Sequence, residues 1–205
     1  MTRIIGGAAR GRRLRTPPGN ATRPTADRVR EALFSALESE LGTLSGLHVL
    51  DLFAGSGAVG LEARSGGAAS VVLVESDRAT AGVIRQNAKE LGFDQVRVDV
   101  ARAERWVDHA DQADRADGAA RFDVVYADPP YPMSTADVSA LLGRLAVSGR
   151  LADDAVVVVE RSRRGEGWTW PIGLEGVREK RYGETMLLYG RVGTSDATPT
   201  SPGSS

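Results

Sequence analysis

From residue 47 onward the chain alternates between short apolar runs and helical patterns, and this alternation restricts the possible folds more than any other feature. HVLDLF, SVVLVE, QVRVDV, FDVVYA and AVVVVE read as strands. AVGLEARSG, DRATAGVIRQNAKELG, RAERWVDHA and residues 134–147 read as the helices between them, the second of these stopping at Gly92. GVREKRYGE and TMLLYGRV follow as two final antiparallel strands. Strands that alternate with helices imply an α/β fold with a doubly wound, seven-stranded, mostly parallel sheet. In such sheets ligands bind beyond the carboxyl ends of the strands, at the switch point. The loops after LDLF, LVE and VVYA are therefore expected to share one cleft.

Ahead of this core, residues 2–16 hold two short segments around GAARG, a pattern that predicts a glycine-turned hairpin. A Pro/Gly/Asn connector leads to a helix from Thr25 to Leu41. Its apolar positions Val29, Ala32, Leu33, Ala36, Leu37 and Leu41 recur at helical spacing, and Thr25 is placed to cap it. The expected division is a basic N-terminal arm or hairpin over 1–24, one domain over 25–192 and a disordered tail over 193–205. The polar, Asp-rich stretch 110–121 reads as a solvated loop.

Composition excludes several classes. Hydrophobic residues at 41% and charged residues at 26% suit a soluble globular protein, and no apolar run nears the roughly 20 residues that span a bilayer. MTRIIGG has no apolar run of the secretory kind, so a cytoplasmic location is expected. The absence of cysteine rules out disulfides, iron–sulfur clusters and thiolate zinc sites. His48 and His109 stand alone, without ligand spacing, so no metal is expected. No heptad pattern is present, and a monomer is the default.

Two motifs bear on chemistry. In DLFAGSG, Asp51, Leu52, Phe53 and Ala54 precede the glycines Gly55 and Gly57, which allow close backbone approach to a ligand. Asp51 ends its strand, where a carboxylate can hold a cation. Glu75 ends the next strand, 24 residues later, and can accept both hydroxyls of a ribose. The run Gly55-Ser56-Gly57-Ala58-Val59-Gly60 also matches the dinucleotide fingerprint G-x-G-x-x-G. Against a nicotinamide oxidoreductase stand the repulsion between Asp51 and a pyrophosphate and the lack of a second domain for a reducible substrate. A methionine ammonium suits Asp51 better.

The second motif is Asp128-Pro129-Pro130-Tyr131, directly after FDVVYA. Two prolines enforce an extended, rigid loop and remove two backbone donors. The Asp128 carboxylate and the Pro129 carbonyl then form an acceptor-rich edge. An exocyclic amino group on a base offers two N–H donors and a lone pair delocalised into its ring. Two acceptors gripping both N–H bonds favour a pyramidal nitrogen and aim its lone pair. Tyr131 offers a flat face for a base taken out of its stack.

With both motifs in place, the chain resembles the class I methyltransferases that modify amino groups, and more closely the RsmD family. RIIGGAARGRRL, RPT, VREALFSAL, DLFAGSGAVGLEARSGGA, VESD, FDVVYADPPY and YGET bear the resemblance, over about residues 2 to 192. The resemblance implies a Rossmann-like methyltransferase fold, S-adenosylmethionine as cofactor, and methylation of guanine N2 in 16S ribosomal RNA, in an assembling small ribosomal subunit. It implies that Asp51, Phe53, Gly55 and Gly57 line the cofactor, that Glu75 binds its ribose and that Ser76 lies beside the adenine. Thr25 or its neighbours would close the cofactor pocket, and Asp128, Pro129, Pro130 and Tyr131 would hold the guanine. Many relatives carry an Asp-Ala pair near the adenine amino group. Here Arg102-Ala103 takes that place, and arginine cannot accept a hydrogen bond. Asp99 in a shifted register is the alternative, and the backbone of Ala103 could also serve.

Residues 1–25 contain six arginines and no acidic residue. Arg10, Arg12, Arg13, Arg15 and Arg23 form a basic group without aromatic platforms, which reads as a phosphate contact that positions RNA. Arg161, Arg163, Arg164, Arg178, Lys180 and Arg181 could extend that surface. The competing function is a DNA adenine-N6 methyltransferase, which can use the same loop but usually has a larger target-recognition region. A non-catalytic nucleic-acid-binding protein and a protein-glutamine methyltransferase are further alternatives. The first leaves Asp51, Glu75 and DPPY without a purpose, and the second leaves the basic arm without one.

Overall fold

The computed structural model describes residues 2–17, 24–109, 121–165 and 167–193, with side chains from residue 27 in the first helix. Arg23, the stretch 110–120 and the tail from 194 lie outside the described residues, as does the side chain of Thr25.

The expected doubly wound sheet is present. β1 (Thr2–Arg3) and β2 (Arg13–Leu14) pair as a small antiparallel hairpin. α1 (Pro24–Leu41) leads into the alternating core of β3 (His48–Asp51), α2 (Ala58–Ser65), β4 (Ser70–Glu75), α3 (Arg78–Leu91), β5 (Val96–Val100), α4 (Ala103–His109), β6 (Phe122–Ala127) and α5 (Thr135–Val147). β7 (Leu151–Ser162), β8 (Leu174–Tyr182) and β9 (Thr185–Val192) complete it. The seven-stranded sheet has the order β5-β4-β3-β6-β7-β9-β8, with β9 antiparallel to both neighbours. The order reverses between β3 and β6, so the carboxyl ends of β3, β4 and β6 open onto one cleft.

Local chemistry explains the boundaries. Asp77 caps α3 by accepting from the Thr80 N–H at 2.7 Å, and Gly92 ends it in the left-handed conformation at φ 71°. Ser134 caps α5 through the Asp137 N–H. α1 begins one residue earlier than expected. Pro24 is its first residue, where a missing N–H costs nothing and φ is preset, so Thr25 lies inside the helix and does not precede it as a cap. β7 extends beyond AVVVVE on both sides, because β6 and β9 pair with it along different stretches.

Alternate residues of each strand feed two apolar layers. Val49, Leu73, Val124 and Val158 pack beneath α1, α2 and α3, while Leu50, Val125, Val157 and Leu188 pack beneath α4 and α5. The hairpin forms a third cluster, with Ile4, Ala9 and Leu14 against Leu61 and Ala88.

The expected hairpin is clamped onto the core. Glu62 of α2 accepts from the Ile5 N–H at 2.9 Å and the Gly6 N–H at 2.6 Å. Ser65 accepts from the Ala9 N–H, and Asn87 both accepts from Arg15 and donates to it. Gly7, at φ 69°, passes so close to Ser65 that a Cβ there would lie 1.9 Å from its carbonyl oxygen. The buried Arg30 of α1 joins the clamp, donating to the Arg3 carbonyl at 2.7 Å with its Nε 3.4 Å from Glu62.

Part of the second basic group is paired with acids of the fold. Arg178 and Arg191 grip Glu40, ten residues along α1 from Arg30, which is roughly 15 Å of helix. Arg164 pairs with Glu184 and Arg181 with Glu179. The Arg164 and Arg181 pairs are solvent-exposed, at the β8–β9 end of the sheet.

Candidate active site

The glycine loop is built by packing as much as by ligand approach. The Ala54 N–H donates to the Val74 carbonyl at 2.9 Å, keeping the chain against β4 as it leaves β3. Gly55 turns at φ 51° and Gly57 at φ 77°, both in the region that favours glycine. At Gly57 a Cβ would approach Ile84 to 2.8 Å, and at Gly60 it would approach Leu73 to 2.3 Å. The match to G-x-G-x-x-G thus reflects one turn and two close helix contacts, which any fold of this class requires, whatever nucleotide it takes.

A cavity of about 500 Å³ lies beyond the strand ends, within the range of small-molecule sites. Phe53, Gly55, Glu75 and Ser76 line it from the glycine-loop side, and Arg102 and Ala103 from the turn after β5. Asp128 and Pro130 line it from the loop after β6. Sequence reasoning missed Leu52, Val74 and Ala101, apolar residues at strand ends that look like core, together with Glu104, Pro132 and Met133.

Among the described residues, five expected ones do not line the cavity: Gly57, Asp51, Asp99, Pro129 and Tyr131. Gly57 is at the start of α2 against Ile84. Asp51 is buried behind the wall at 1% exposure. Asp99 is committed elsewhere, accepting from the Trp106 indole N–H at 2.7 Å with Arg97 3.2 Å away, so the shifted-register alternative for the adenine is set aside.

The two carboxylates of the glycine-loop half differ in their partners. Glu75 accepts from the Gly55 N–H at 2.9 Å and from the Asp77 N–H at 2.7 Å, so both oxygens are fixed at the cavity. Asp51 accepts a long bond from the Phe53 N–H at 3.3 Å, and the Gly60 N–H also acts on it. Its pKa is pushed up to about 7, chiefly by burial and further by Glu75, against the pull of backbone N–H groups. A cation arriving beside Asp51 would restore its charge. The cavity's size, the presented Glu75 oxygens and this underpaired carboxyl fit an adenosine that bears an ammonium group.

In the loop after β6, Pro129 is buried and Pro130 exposed. The Pro130 carbonyl accepts from the Met133 N–H at 2.9 Å, whereas that of Pro129 accepts no hydrogen bond among the described residues. Tyr131 projects from the loop with 88% of its surface exposed. Asp128 opens at the cavity mouth. Its carboxyl is pushed up by the surrounding protein, by Glu160 and by Asp51, and pulled down by Arg161. Solvent reaches its outer edge and weakens the first of these effects, but the two like charges remain. The arrangement offers a flat ring, a carboxylate and a free carbonyl beside a cavity with acidic recognition groups.

A doubly wound sheet of this order, with an acid ending its second core strand and DPPY after its fourth, defines a class I methyltransferase fold. A family model described as conserved hypothetical protein 95 matches residues 2–191. Ribosomal RNA small subunit methyltransferase D of Escherichia coli K12 is 37% identical over 198 residues, covering 95% of this chain and 93% of that protein. The Haemophilus influenzae protein of the same name is 32% identical over 172 residues, covering 82% of this chain and 84% of its own. Among solved structures, a hypothetical protein of Thermus thermophilus superposes with a TM-score of 0.72 at 33% identity, covering 92% of this chain and 98% of that one. Magnesium protoporphyrin IX methyltransferase of Synechocystis PCC 6803, solved with bound S-adenosylmethionine, shares the fold at a TM-score of 0.60 and 16% identity, over 85% of this chain and 87% of its own. The chain belongs to the conserved hypothetical protein 95 family, whose members include these ribosomal RNA small-subunit methyltransferases. The relatives are named for ribosomal RNA, so the DNA adenine alternative loses its support.

Proposed function

We propose that this chain transfers the methyl group of S-adenosylmethionine to the exocyclic N2 of a guanine in 16S ribosomal RNA, acting in the cytoplasm on an assembling small subunit. The main support is the juxtaposition of the Asp128–Tyr131 loop with a cavity whose other wall presents Glu75 and, behind it, Asp51. The cofactor supplies an electrophilic methyl group. Glu75 accepts the ribose hydroxyls, Asp51 balances the ammonium, and Ser76, Arg102 and the backbone of Ala103 border the adenine. Tyr131 stacks on the extruded guanine. Asp128 and the Pro129 carbonyl accept the two N–H bonds of N2, so that its lone pair points into the cavity. As the new N–C bond forms and the C–S bond breaks, the surplus proton on N2 passes to the Asp128 carboxylate or to water. Arg10, Arg12 and Arg13 on the hairpin meet RNA phosphates.

The test is transfer of labelled methyl to small-subunit particles, naked ribosomal RNA and duplex DNA, with Asp128→Ala alongside. Label recovered as N2-methylguanine, lost in the variant, is expected. Label as N6-methyladenine in DNA, or full activity without Asp128, would overturn the reading.

A further inference from the structure

The carboxyl ends of three adjacent strands gather more acid than transfer to an amino group requires. Asp51 pairs in register with Tyr126, and Tyr126 with Val158. Two residues further along their own chains, on the same face, are Asp128 and Glu160. The Tyr126 hydroxyl donates to Glu160 Oε2 at 2.5 Å, and its pKa is raised by burial and then by the charges of Glu160, Asp128 and Asp51. A buried phenol therefore sits among three carboxyls, one from each strand end.

Neither Glu160 nor Tyr126 lines the cavity, and neither has a part in the transfer described above. The next residue, Arg161, points to the opposite face. It donates to the Met133 carbonyl at 3.1 Å and lies 3.4 Å from the Thr135 hydroxyl, tying the far end of the catalytic loop to β7. Glu160 and Arg161 thus bracket the loop with opposite charges.

We propose that Glu160 is a positioning residue: held by the Tyr126 hydroxyl, it sets when Asp128 is ionised and so when Asp128 can accept the N2 proton. The argument rests on the proposed role of Asp128. Without Glu160, burial and Asp51 would still raise the Asp128 carboxyl against Arg161, but by less. With it, Asp128 binds a proton more tightly, as the proton leaving N2 requires. Burial raises the Glu160 carboxyl above its ordinary range, and the hydrogen bonds from Tyr126 and from the Thr185 hydroxyl at the start of β9 offset part of that rise.

The experiment follows the Asp128 carboxyl carbon by NMR across pH in the full unliganded chain, for wild type, Glu160→Gln and Tyr126→Phe. Two coupled acids titrate in two overlapping steps. Glu160→Gln should move the Asp128 titration lower by about one pH unit, leaving only its coupling to Asp51. Tyr126→Phe, which removes a donor from Glu160, should move it the same way by less. The acid limb of methyl transfer should shift with the carboxyl while cofactor affinity stays unchanged. An Asp128 titration unmoved in both variants overturns the proposal, as does a slower Glu160→Gln enzyme with the wild-type pH profile. Failure of wild type to methylate ribosomal RNA would overturn the functional reading instead, and the carboxyl titration would still decide the coupling.

Discussion

Two acidic residues in this molecule are almost equally hidden, and the protein treats them in opposite ways. Glu62 is 4% exposed and Asp51 is 1% exposed. Glu62 meets two backbone N–H groups of the hairpin and the Arg30 guanidinium. Asp51 meets the backbone N–H groups of Phe53 and Gly60 but another carboxylate and no cation, and burial pushes its pKa up to about 7. Burial alone does not separate a structural acid from a binding one. The separation lies in whether the fold supplies the opposite charge or leaves it to a ligand.

The largest expected effect falls on the structural side. Glu62→Ala removes the acceptors of the hairpin and leaves the buried Arg30 with only the partly exposed Asp27 as its ionic partner. A loss of about 3–5 kcal/mol in denaturant unfolding is expected. If the variant keeps wild-type stability, Glu62 is no clamp and the comparison fails.

Asp51→Asn should do the reverse. The raised pKa of Asp51 means that its contribution to folding is fully present below about 3.8 and is lost as pH rises through about 7. The variant does not titrate, so it should match wild type near pH 4 and melt higher at pH 8. Its cofactor affinity should fall by about 10- to 100-fold, the worth of one charge-assisted bond. In wild type that affinity should itself rise with pH up to about 7, as Asp51 ionises. Calorimetric titration across pH reads both. A variant that binds the cofactor as wild type does would remove Asp51 from the site.

The contrast also shows what the sequence made legible. Asp51, Glu75 and DPPY could be read because their residue types fall at strand ends, where chemistry and spacing coincide. Nothing of that kind marks Glu62, which stands in AVGLEARS like any polar helix residue. Its role depends on a hairpin 56 residues away in sequence. Glu160 likewise looked like the end of an apolar strand, since Tyr126 and Asp128 join it only through the β6–β7 register. The pairing of the second basic group was hidden for the same reason. Charge could be counted from the sequence, but the partners that neutralise Arg178 and Arg164 lie across tertiary contacts.

That last point yields the smallest and most discriminating effect, within the hairpin itself. Arg15 forms an ion pair with Glu90 at 2.7 Å, and Arg12 donates to the Glu90 carbonyl at 3.0 Å. Arg10 and Arg13 are exposed on the same hairpin. If the hairpin meets RNA phosphates, Arg10→Ala and Arg13→Ala should each weaken RNA binding a few-fold and lower the salt slope of log Kd by roughly one. Arg15→Ala should change the slope less, because Glu90 already cancels its charge. Cofactor affinity should be unchanged in all three, since the hairpin packs on α2 and α3, away from the cavity. Binding isotherms at several salt concentrations settle the order. Equal losses at Arg10 and Arg15 would mean that the Glu90 pair opens on contact with RNA, and no loss at either would take the hairpin out of the RNA interface.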